Sequence, residues 1–169
     1  MINEYKLVAD SYECAELQHK ETKVKVSGTD IYMTVSKFVL TIPYKNHIIR
    51  IENEYGASNP GKLEMKLKKG FLPNFEVRSQ SHLKNIFLIK KKRFVIDCSN
   101  LQYKLLIEEW IANSGMETIA KENLFEPHIR LEKREGSQSI VTEYHLQLKD
   151  KIGGLKAMVQ FYKNCVDGL

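Results

Sequence analysis

The stretch KLEMKLKK, residues 62–69, decides the fold class, because its apolar and charged residues alternate. Leu63, Met65 and Leu67 fall on one side of an extended chain, and the residues between them fall on the other side. Strands with one buried and one solvated face are typical of antiparallel sheets. The stretch therefore predicts a strand of an antiparallel sheet.

The same alternation recurs along most of the chain. Pro43 should end one of the runs, because proline cannot donate a hydrogen bond to a neighbouring strand. Residues 82–89 fit a short helix and a strand equally well. We expect each strand to have one apolar and one solvated face. The other segments predicted as strands are 24–26, 31–42, 49–52, 75–77, 94–98, 128–134 and 138–148, the last two forming a hairpin around Glu135 and Gly136.

Three segments have the spacing of amphipathic helices. The first is residues 3–19. The second begins at a cap, Ser99 or Asn100, and ends near Ala112, before Asn113-Ser114-Gly115. Its apolar side is expected to consist of Leu101, Leu105, Trp110 and Ile111.

The third helix is predicted over about residues 154–166, so that the Gly153-Gly154 pair marks its start. Its apolar stripe should pack on the sheet. The stripe consists of Leu155, Met158, Val159, Tyr162, Cys165 and Val166.

The predicted class is α+β, with a mainly antiparallel meander sheet packed by an N-terminal helix, a middle helix (about 100–112) and a C-terminal helix (about 154–166). At 169 residues, we expect a single domain, 1–169. A chain of this length buries about 68–70% of its unfolded surface, so folding requires neither a metal nor a disulfide.

Gly56, Gly61 and Lys62 have the G-x-x-x-x-G-K spacing of a phosphate-binding loop. The hydroxyl that would hold Mg²⁺ is missing, because Leu63 follows Lys62. A phosphate loop also leads into a helix, whereas the residues after Lys62 have the period of a strand. Asn59-Pro60-Gly61 favours a turn between antiparallel strands. We expect no nucleotide site.

The net charge of +5 conceals an uneven distribution, because residues 23–104 alone carry a balance of +10. Lysines on the outward side of neighbouring strands would form a basic sheet surface. Lys37, Lys45 and Arg50 would extend it. The residues predicted to form this surface are Lys66, Lys68, Lys69, Lys90, Lys91, Lys92 and Arg93.

A basic surface fits an acidic protein, nucleic-acid phosphates or anionic lipid. Acids such as Glu52 and Glu64 lie among the bases, and the chain has no nucleic-acid recognition motif. We therefore expect a non-catalytic binding domain for an acidic protein partner, with an inhibitor, immunity-type or adaptor role. Nucleic-acid binding is the alternative. Lysines 90–92 also fit a turn that charge keeps soluble.

A third interpretation is an enzyme with Cys98 as nucleophile, because a thiol at the start of a helix can have a lowered pKa. The bases available to it would be His82, His128 or His145. The neighbouring Asp97 opposes this interpretation. Paired acids such as Glu108-Glu109 or Glu132 and Glu135 are better explained as solvated charges than as catalytic carboxylates.

The remaining residue patterns predict no cofactor and no metal site, because the five histidines and three cysteines lack ligand spacing. The N-terminus has acids where a signal peptide has bases, and no segment is apolar enough to span a membrane. Cys14, Cys98 and Cys165 are expected to be reduced thiols. These features predict a cytoplasmic protein, and leave its oligomeric state open.

Overall fold

The structure, a computed structural model, describes residues 1–56, 61–67, 72–80, 92–123, 125–134 and 136–169. Within them the chain forms eight strands and four helices. The predicted strand or helix over 82–89 lies outside the described residues. In chain order the elements are α1 (Ile2–Ala9), β1 (Glu16–Lys25), β2 (Tyr32–Tyr44), β3 (His47–Tyr55), β4 (Gly61–Leu67), β5 (Phe75–Ser79), β6 (Phe94–Cys98), α2 (Leu101–Ser114), α3 (Met116–Glu122), β7 (His128–Arg134), β8 (Ser137–Tyr144) and α4 (Lys151–Asp167).

The strands form one sheet in the order β1-β2-β3-β4-β8-β7-β5-β6. Every strand pair is antiparallel, which confirms the predicted α+β class. The first four strands follow one another as a meander. The β7–β8 hairpin then lies between β4 and β5, so β4 and β8 are the two central strands.

Helix α4 packs against the sheet with the predicted apolar stripe, all of which is buried. Ala157 and Phe161 are buried as well, because α4 is also covered by α1, α2 and α3. The helix starts earlier than predicted, at Lys151, so Gly153 and Gly154 lie inside it. Asp150 caps this start by accepting a hydrogen bond from the Gly153 N–H at 2.8 Å, and a Cβ at residue 153 would overlap the Asp150 carboxylate.

The predicted N-terminal helix over 3–19 is wrong beyond Ala9. Tyr5 and Val8 are buried as their spacing indicates. The chain then leaves the helix, and Cys14 adopts a left-handed φ of 56°. Residues from Glu16 onward pair with β2 along their whole length, and this pairing outweighs the weak helical pattern.

The predicted middle helix is confirmed, and Asn100 is its cap. The Asn100 Oδ1 accepts hydrogen bonds from the backbone N–H groups of Gln102 and Tyr103, at 3.0 and 3.1 Å. The helix runs two residues further than expected and ends at Gly115 with φ 81°. A short helix that was not predicted, α3, follows at once.

The predicted apolar side of this middle helix, α2, is only half correct. Trp110 and Ile111 are buried, together with Ile107. Leu101 and Leu105 are 70% and 58% exposed.

Several strands have other bounds than predicted, with β1 and β3 extending well beyond the predicted segments. Strand β2 continues through Pro43 to Tyr44, because β1 pairs with β2 only as far as Thr41 and Pro43 faces one neighbouring strand alone. Strand β8 ends at Tyr144 and not at residue 148. Strand β6 covers Phe94–Cys98 as predicted.

The structure describes the second half of the G-x-x-x-x-G-K stretch, Gly61 and Lys62. Residues 57–60 lie outside the described part. Gly61 and Lys62 are the first residues of β4, which pairs with β3 and β8, so a strand and not a helix follows the second glycine. The Lys62 ammonium binds Glu64 at 2.6 Å.

Candidate interaction surface

The predicted basic residues are only partly within the described structure. Lys68, Lys69, Lys90 and Lys91 lie outside it. Lys66 is exposed on the solvent side of β4 and forms no ion pair with a described residue. Lys92 binds Glu108 at 2.9 Å, and the Arg93 backbone N–H faces Glu117 at 3.3 Å. The predicted surface therefore stays a prediction, with Lys66 as its clearest described member.

The three possible additional bases are all paired with acids. Lys37 and Arg50 both bind Glu52, at 2.8 and 2.7 Å, and Lys45 binds Asp167 at 2.6 Å. These two cations lower the pKa of Glu52, and the Lys37 hydrogen bond is the main cause. Lys45, reinforced by a hydrogen bond from Tyr44, lowers the pKa of Asp167.

Ion pairs also occur on β7 and β8, on the face of the sheet opposite α4, where no described helix packs and which we call the helix-free face. On β7, Arg130 binds Glu132 at 2.9 Å and Glu143 of β8 at 3.0 Å. These acids raise the pKa of Arg130, and the Glu143 hydrogen bond is the main cause. The network covers Val141, which is buried although it lies on this face.

Cations and carboxylates balance on the helix-free face of the described strands β2 to β8. Because successive residues of a strand point to opposite faces, the alternation shows which charged side chains lie on this face, and it assigns as many cations as carboxylates to the face. The cations are Lys37, Arg50, Lys62, Lys66, Arg78, Arg130 and Arg134, and the carboxylates are Glu52, Glu54, Glu64, Glu76, Asp97, Glu132 and Glu143. This face carries no excess of basic charge in the described part of the chain.

The surface that departs most from the rest of the sheet is the distal part of the β1–β2 hairpin, residues 20–34, which we call the arm. Every residue of the arm is exposed except Met33, which is half-buried. The two strands remain paired along it. Each strand was predicted to have one buried face, and the arm has none, because no helix of the described chain covers it.

The loop of the arm is well defined. The Thr29 backbone N–H and its hydroxyl both donate to the Val26 carbonyl, at 3.1 Å each. The Thr29 hydroxyl oxygen accepts from the Ile31 N–H at 3.2 Å. Gly28 takes a positive φ of 79°, which favours glycine. The loop thus sets the register of the arm.

Apolar side chains form a stripe on one face of the arm. Val24 pairs with Met33, and the Val26 N–H donates to the Ile31 carbonyl at 2.9 Å, so these four side chains share a face. Val24 and Ile31 are 46% and 67% exposed. Tyr32, 62% exposed, lies on the opposite face. Valine and isoleucine are normally buried, so a stripe with so much exposed surface is unusual.

Both acids of the arm interact with neighbouring side chains, whereas two of its lysines form no described ion pair. Glu21 interacts with His19 at 3.7 Å and accepts from the Ser36 hydroxyl at 3.3 Å, and Asp30 binds Lys25 at 2.8 Å. Lys20 and Lys23 form no ion pair with any residue that the structure describes. The acids of the arm are therefore engaged locally, whereas two of its lysines are available to a partner.

A polar cluster lies beneath the sheet, and the sequence patterns did not indicate it. The Asn53 side chain accepts from the Tyr144 hydroxyl at 2.6 Å and donates to Tyr5, whose hydroxyl lies 3.0 Å from that of Tyr55. Burial raises the pKa of both Tyr5 and Tyr144. Gly61 makes room for the cluster, since a Cβ there would lie 2.5 Å from the Asn53 amide oxygen. The cluster is buried, so we assign it to the fold.

A cleft of about 990 Å³ lies between β6 and the helices α2 and α3. Leu105 and Val95 are exposed in its apolar lining, and Lys92, Lys104 and Glu108 lie at its charged edges. Residues 81–91, which precede β6 in the chain, lie outside the described part, and we assign no function to this cleft.

Cys98 is half-buried at the end of β6. No histidine among the described residues is hydrogen bonded to its thiol, and His82 lies outside them. His128, one of the three possible bases, is bound to Glu76. The nucleophile hypothesis therefore gains no geometric support from the described residues.

Comparison of the chain with models of protein families, with curated proteins and with solved structures finds no match. Across the described segments, no helix has both the length and the apolar character needed to cross a membrane. The same segments contain no group of three or more His, Cys, Asp or Glu side chains that could hold a metal ion. The arm and the charges around it are therefore the features of the described surface that point to a function.

Proposed function

We propose that this protein is a non-catalytic binding domain for an acidic protein partner, and that the partner contacts the arm. The observation that carries the proposal is the exposed Val24, Val26 and Ile31 stripe beside lysines that have no described acid partner. Large exposed apolar groups rimmed by charge are typical of protein interaction sites. Lysines at such a site attract acidic partners and accelerate their association.

The choice between protein and nucleic acid depends on the composition of this surface. Nucleic-acid binding draws most of its affinity from phosphate contacts and therefore requires many cations. The arm offers Lys20, Lys23 and Lys25, and Asp30 already binds the last of these. Three exposed aliphatic side chains, in contrast, suit a protein partner. Nucleic-acid binding remains the alternative function, with Lys66 and Lys92 as further described cations.

A peptide display library selected on the folded protein tests the proposal. The competing selection uses a variant in which the dipeptide Asn-Gly replaces residues 23–34. The dipeptide links Thr22 to Val35, which are paired across the two strands. We call this the short-arm variant. Asn-Gly favours a two-residue hairpin turn. We expect the parent protein to enrich peptides with acidic and aliphatic residues, and the short-arm variant to enrich none of them.

A random oligonucleotide pool provides the opposing outcome. Oligonucleotide retention that falls steeply with salt, in the absence of acidic peptides, would replace the proposed function with the nucleic-acid alternative. Peptides that the short-arm variant enriches equally well would show that the partner binds elsewhere. A Lys66→Glu variant is the matched control, because it changes an exposed lysine outside the arm.

A further inference from the structure

The backbone of β1 can itself form hydrogen bonds with a partner. β1 is the first strand of the described sheet, and among the described strands it pairs with β2 alone. In an antiparallel pair, successive residues direct their N–H and C=O groups alternately toward the neighbour and away from it. The outward half of these groups on an edge strand is available to another strand.

The hydrogen bond from the Val26 N–H to the Ile31 carbonyl identifies which residues face outward. The β1–β2 register runs without interruption from this pair through Lys25 and Tyr32 to Glu16 and Thr41. Thr22 and Val24 therefore direct their backbone groups toward β2. Glu21, Lys23 and Lys25 direct theirs toward the open edge.

The side chains along this edge alternate in chemistry. Val24 and Val26 lie on the face that carries the apolar stripe, and Lys23 and Lys25 lie on the other face. A strand added beside β1 would place every second side chain next to the valines and the intervening ones next to the lysines. Apolar residues suit the first set of positions, and carboxylates suit the second.

We propose that the partner supplies an extended acidic segment that adds to the sheet beside β1, with aliphatic side chains next to Val24 and Val26 and a carboxylate next to Lys23, which forms no ion pair with a described residue. This inference rests on the proposed function and specifies its binding mode. Main-chain hydrogen bonds provide affinity in this mode, and the alternating side chains provide specificity. The inference concerns β1 only.

Peptides test the alternation. The probe is a short end-capped peptide that alternates Val and Glu. One control contains the same residues in two blocks, and the other alternates Val and Lys. We expect the Val–Glu peptide to bind the parent protein roughly 10-fold more tightly than the block peptide, because only the alternating order matches both faces at once. Equal affinity for the two, or a preference for the Val–Lys peptide, overturns the proposal.

Two substitutions at one position separate the backbone contribution from the charge. Lys23→Ala removes the ammonium and keeps the outward N–H, whereas Lys23→Pro removes both and leaves the hydrogen bonds to β2 in place. Relative to the parent, we expect Lys23→Ala to weaken Val–Glu peptide binding by roughly 3-fold. Lys23→Pro should weaken it by about a further 3- to 10-fold, as expected for one lost hydrogen bond. Lys66→Ala should leave binding unchanged.

Equal affinities of the Ala and Pro variants would overturn strand addition. If the short-arm variant still lost binding, the proposed function would stand and only the mode would fail. Amide hydrogen exchange on the unsubstituted protein provides a second readout if proline disturbs the arm. On peptide binding, the amides of Glu21, Lys23 and Lys25 should become protected, while those of Thr22 and Val24 are protected already. Binding without that new protection contradicts the proposal.

The edge of β1 could instead pair with β1 of a second copy of the chain. Analytical sedimentation of the protein without peptide tests this alternative. We expect a Lys23→Pro substitution to leave the sedimentation of the protein unchanged. A dimer that Lys23→Pro dissociates would show that β1 pairs with itself, and would overturn the acidic partner.

Discussion

The arm and the centre of the sheet are built from the same pattern of alternating residues, and they differ in what covers them. Leu63 and Met65 of β4 are fully buried beneath α4, and the α4 residue Tyr162 places its hydroxyl 3.0 Å from the Leu63 carbonyl. Val24 and Ile31 of the arm lie on the opposite face of the sheet, where no described helix packs, and they remain exposed. Alternation thus indicates a strand, whereas burial depends on the helix that packs against it.

The consequence for stability is a steep difference between the two regions. Side chains under α4 lose all of their contact with water on folding, and such burial is the main stabilising contribution. Arm side chains lose little of theirs. We therefore expect the arm to contribute little to the stability of the fold.

The largest expected difference is between Met158 and Ile31. Met158→Ala should lower the free energy of unfolding by about 2–5 kcal/mol, because it leaves a cavity between α4 and the sheet. Ile31→Ala, at the exposed stripe, should change it by less than about 0.5 kcal/mol. Denaturant unfolding of both variants measures the two values. A loss at Ile31 as large as that at Met158 would show that the arm packs against the body of the protein.

Gly61→Ala should have a moderate effect at the edge of the core. A Cβ at this residue would meet the Asn53 amide oxygen at 2.5 Å and the Tyr144 ring at 2.6 Å, so the polar cluster must shift. We expect a loss of about 1–3 kcal/mol, the usual range for overpacking. Gly28→Ala in the arm is the matched control.

In that control, the positive φ of Gly28 causes strain, but nothing lies near the added Cβ. Its effect should therefore be confined to the loop of the arm. Thermal unfolding compares the two variants. A Gly61→Ala protein as stable as the parent would mean that the cluster rearranges without cost.

The smallest expected effect is the pH dependence of an ion cluster on the helix-free face. Hydrogen bonds from Arg78 and His128 lower the pKa of the Glu76 carboxyl to about 2. Because this pKa is lower in the folded state, the stabilisation is complete above the unfolded value of about 4.3 and is lost as the pH falls toward 2. The contribution should be below about 1 kcal/mol, because solvent screens the cluster.

The contribution of Glu76 is measured by denaturant unfolding of the parent protein and of Glu76→Gln. The measurements run from about pH 5 to about pH 2, which brackets the folded and unfolded pKa values of this carboxyl. The difference in stability between the two proteins should be largest above the unfolded pKa and should shrink at lower pH. A difference that stays constant across the range would show that the cluster does not stabilise the folded state through the charge of Glu76.

Local sequence signals were sufficient for much of the fold. A short apolar run over residues 94–98, bounded by polar residues, indicated β6. Asn100 is one of the two predicted helix caps, and the stripe of α4 is buried throughout. The failures occur where distant contacts decide the structure. Residues after Ala9 have a weak helical spacing, yet they pair with β2, and Leu105 is exposed although it fits the apolar side of α2.

The candidate site shows the same limit. Charge counting selected the middle of the chain, but it could not show that Arg50 and Lys37 face Glu52, or that Arg130 bridges two acids. The valines of the arm were recognised as strand residues and expected to be half-buried. They lie on the same face of the sheet as Lys37, where no described helix packs, and no local pattern shows which face the helices cover.

The free energy of unfolding of the short-arm variant tests the central claim most directly. If the arm is surplus to the fold, replacing residues 23–34 by Asn-Gly should change this free energy by less than about 1 kcal/mol, because an isolated two-stranded hairpin is itself only marginally stable. Met158→Ala, measured in the same buffer, provides the scale for a true core loss. A short-arm variant destabilised as strongly as Met158→Ala would contradict the claim, because the arm would then be part of the core.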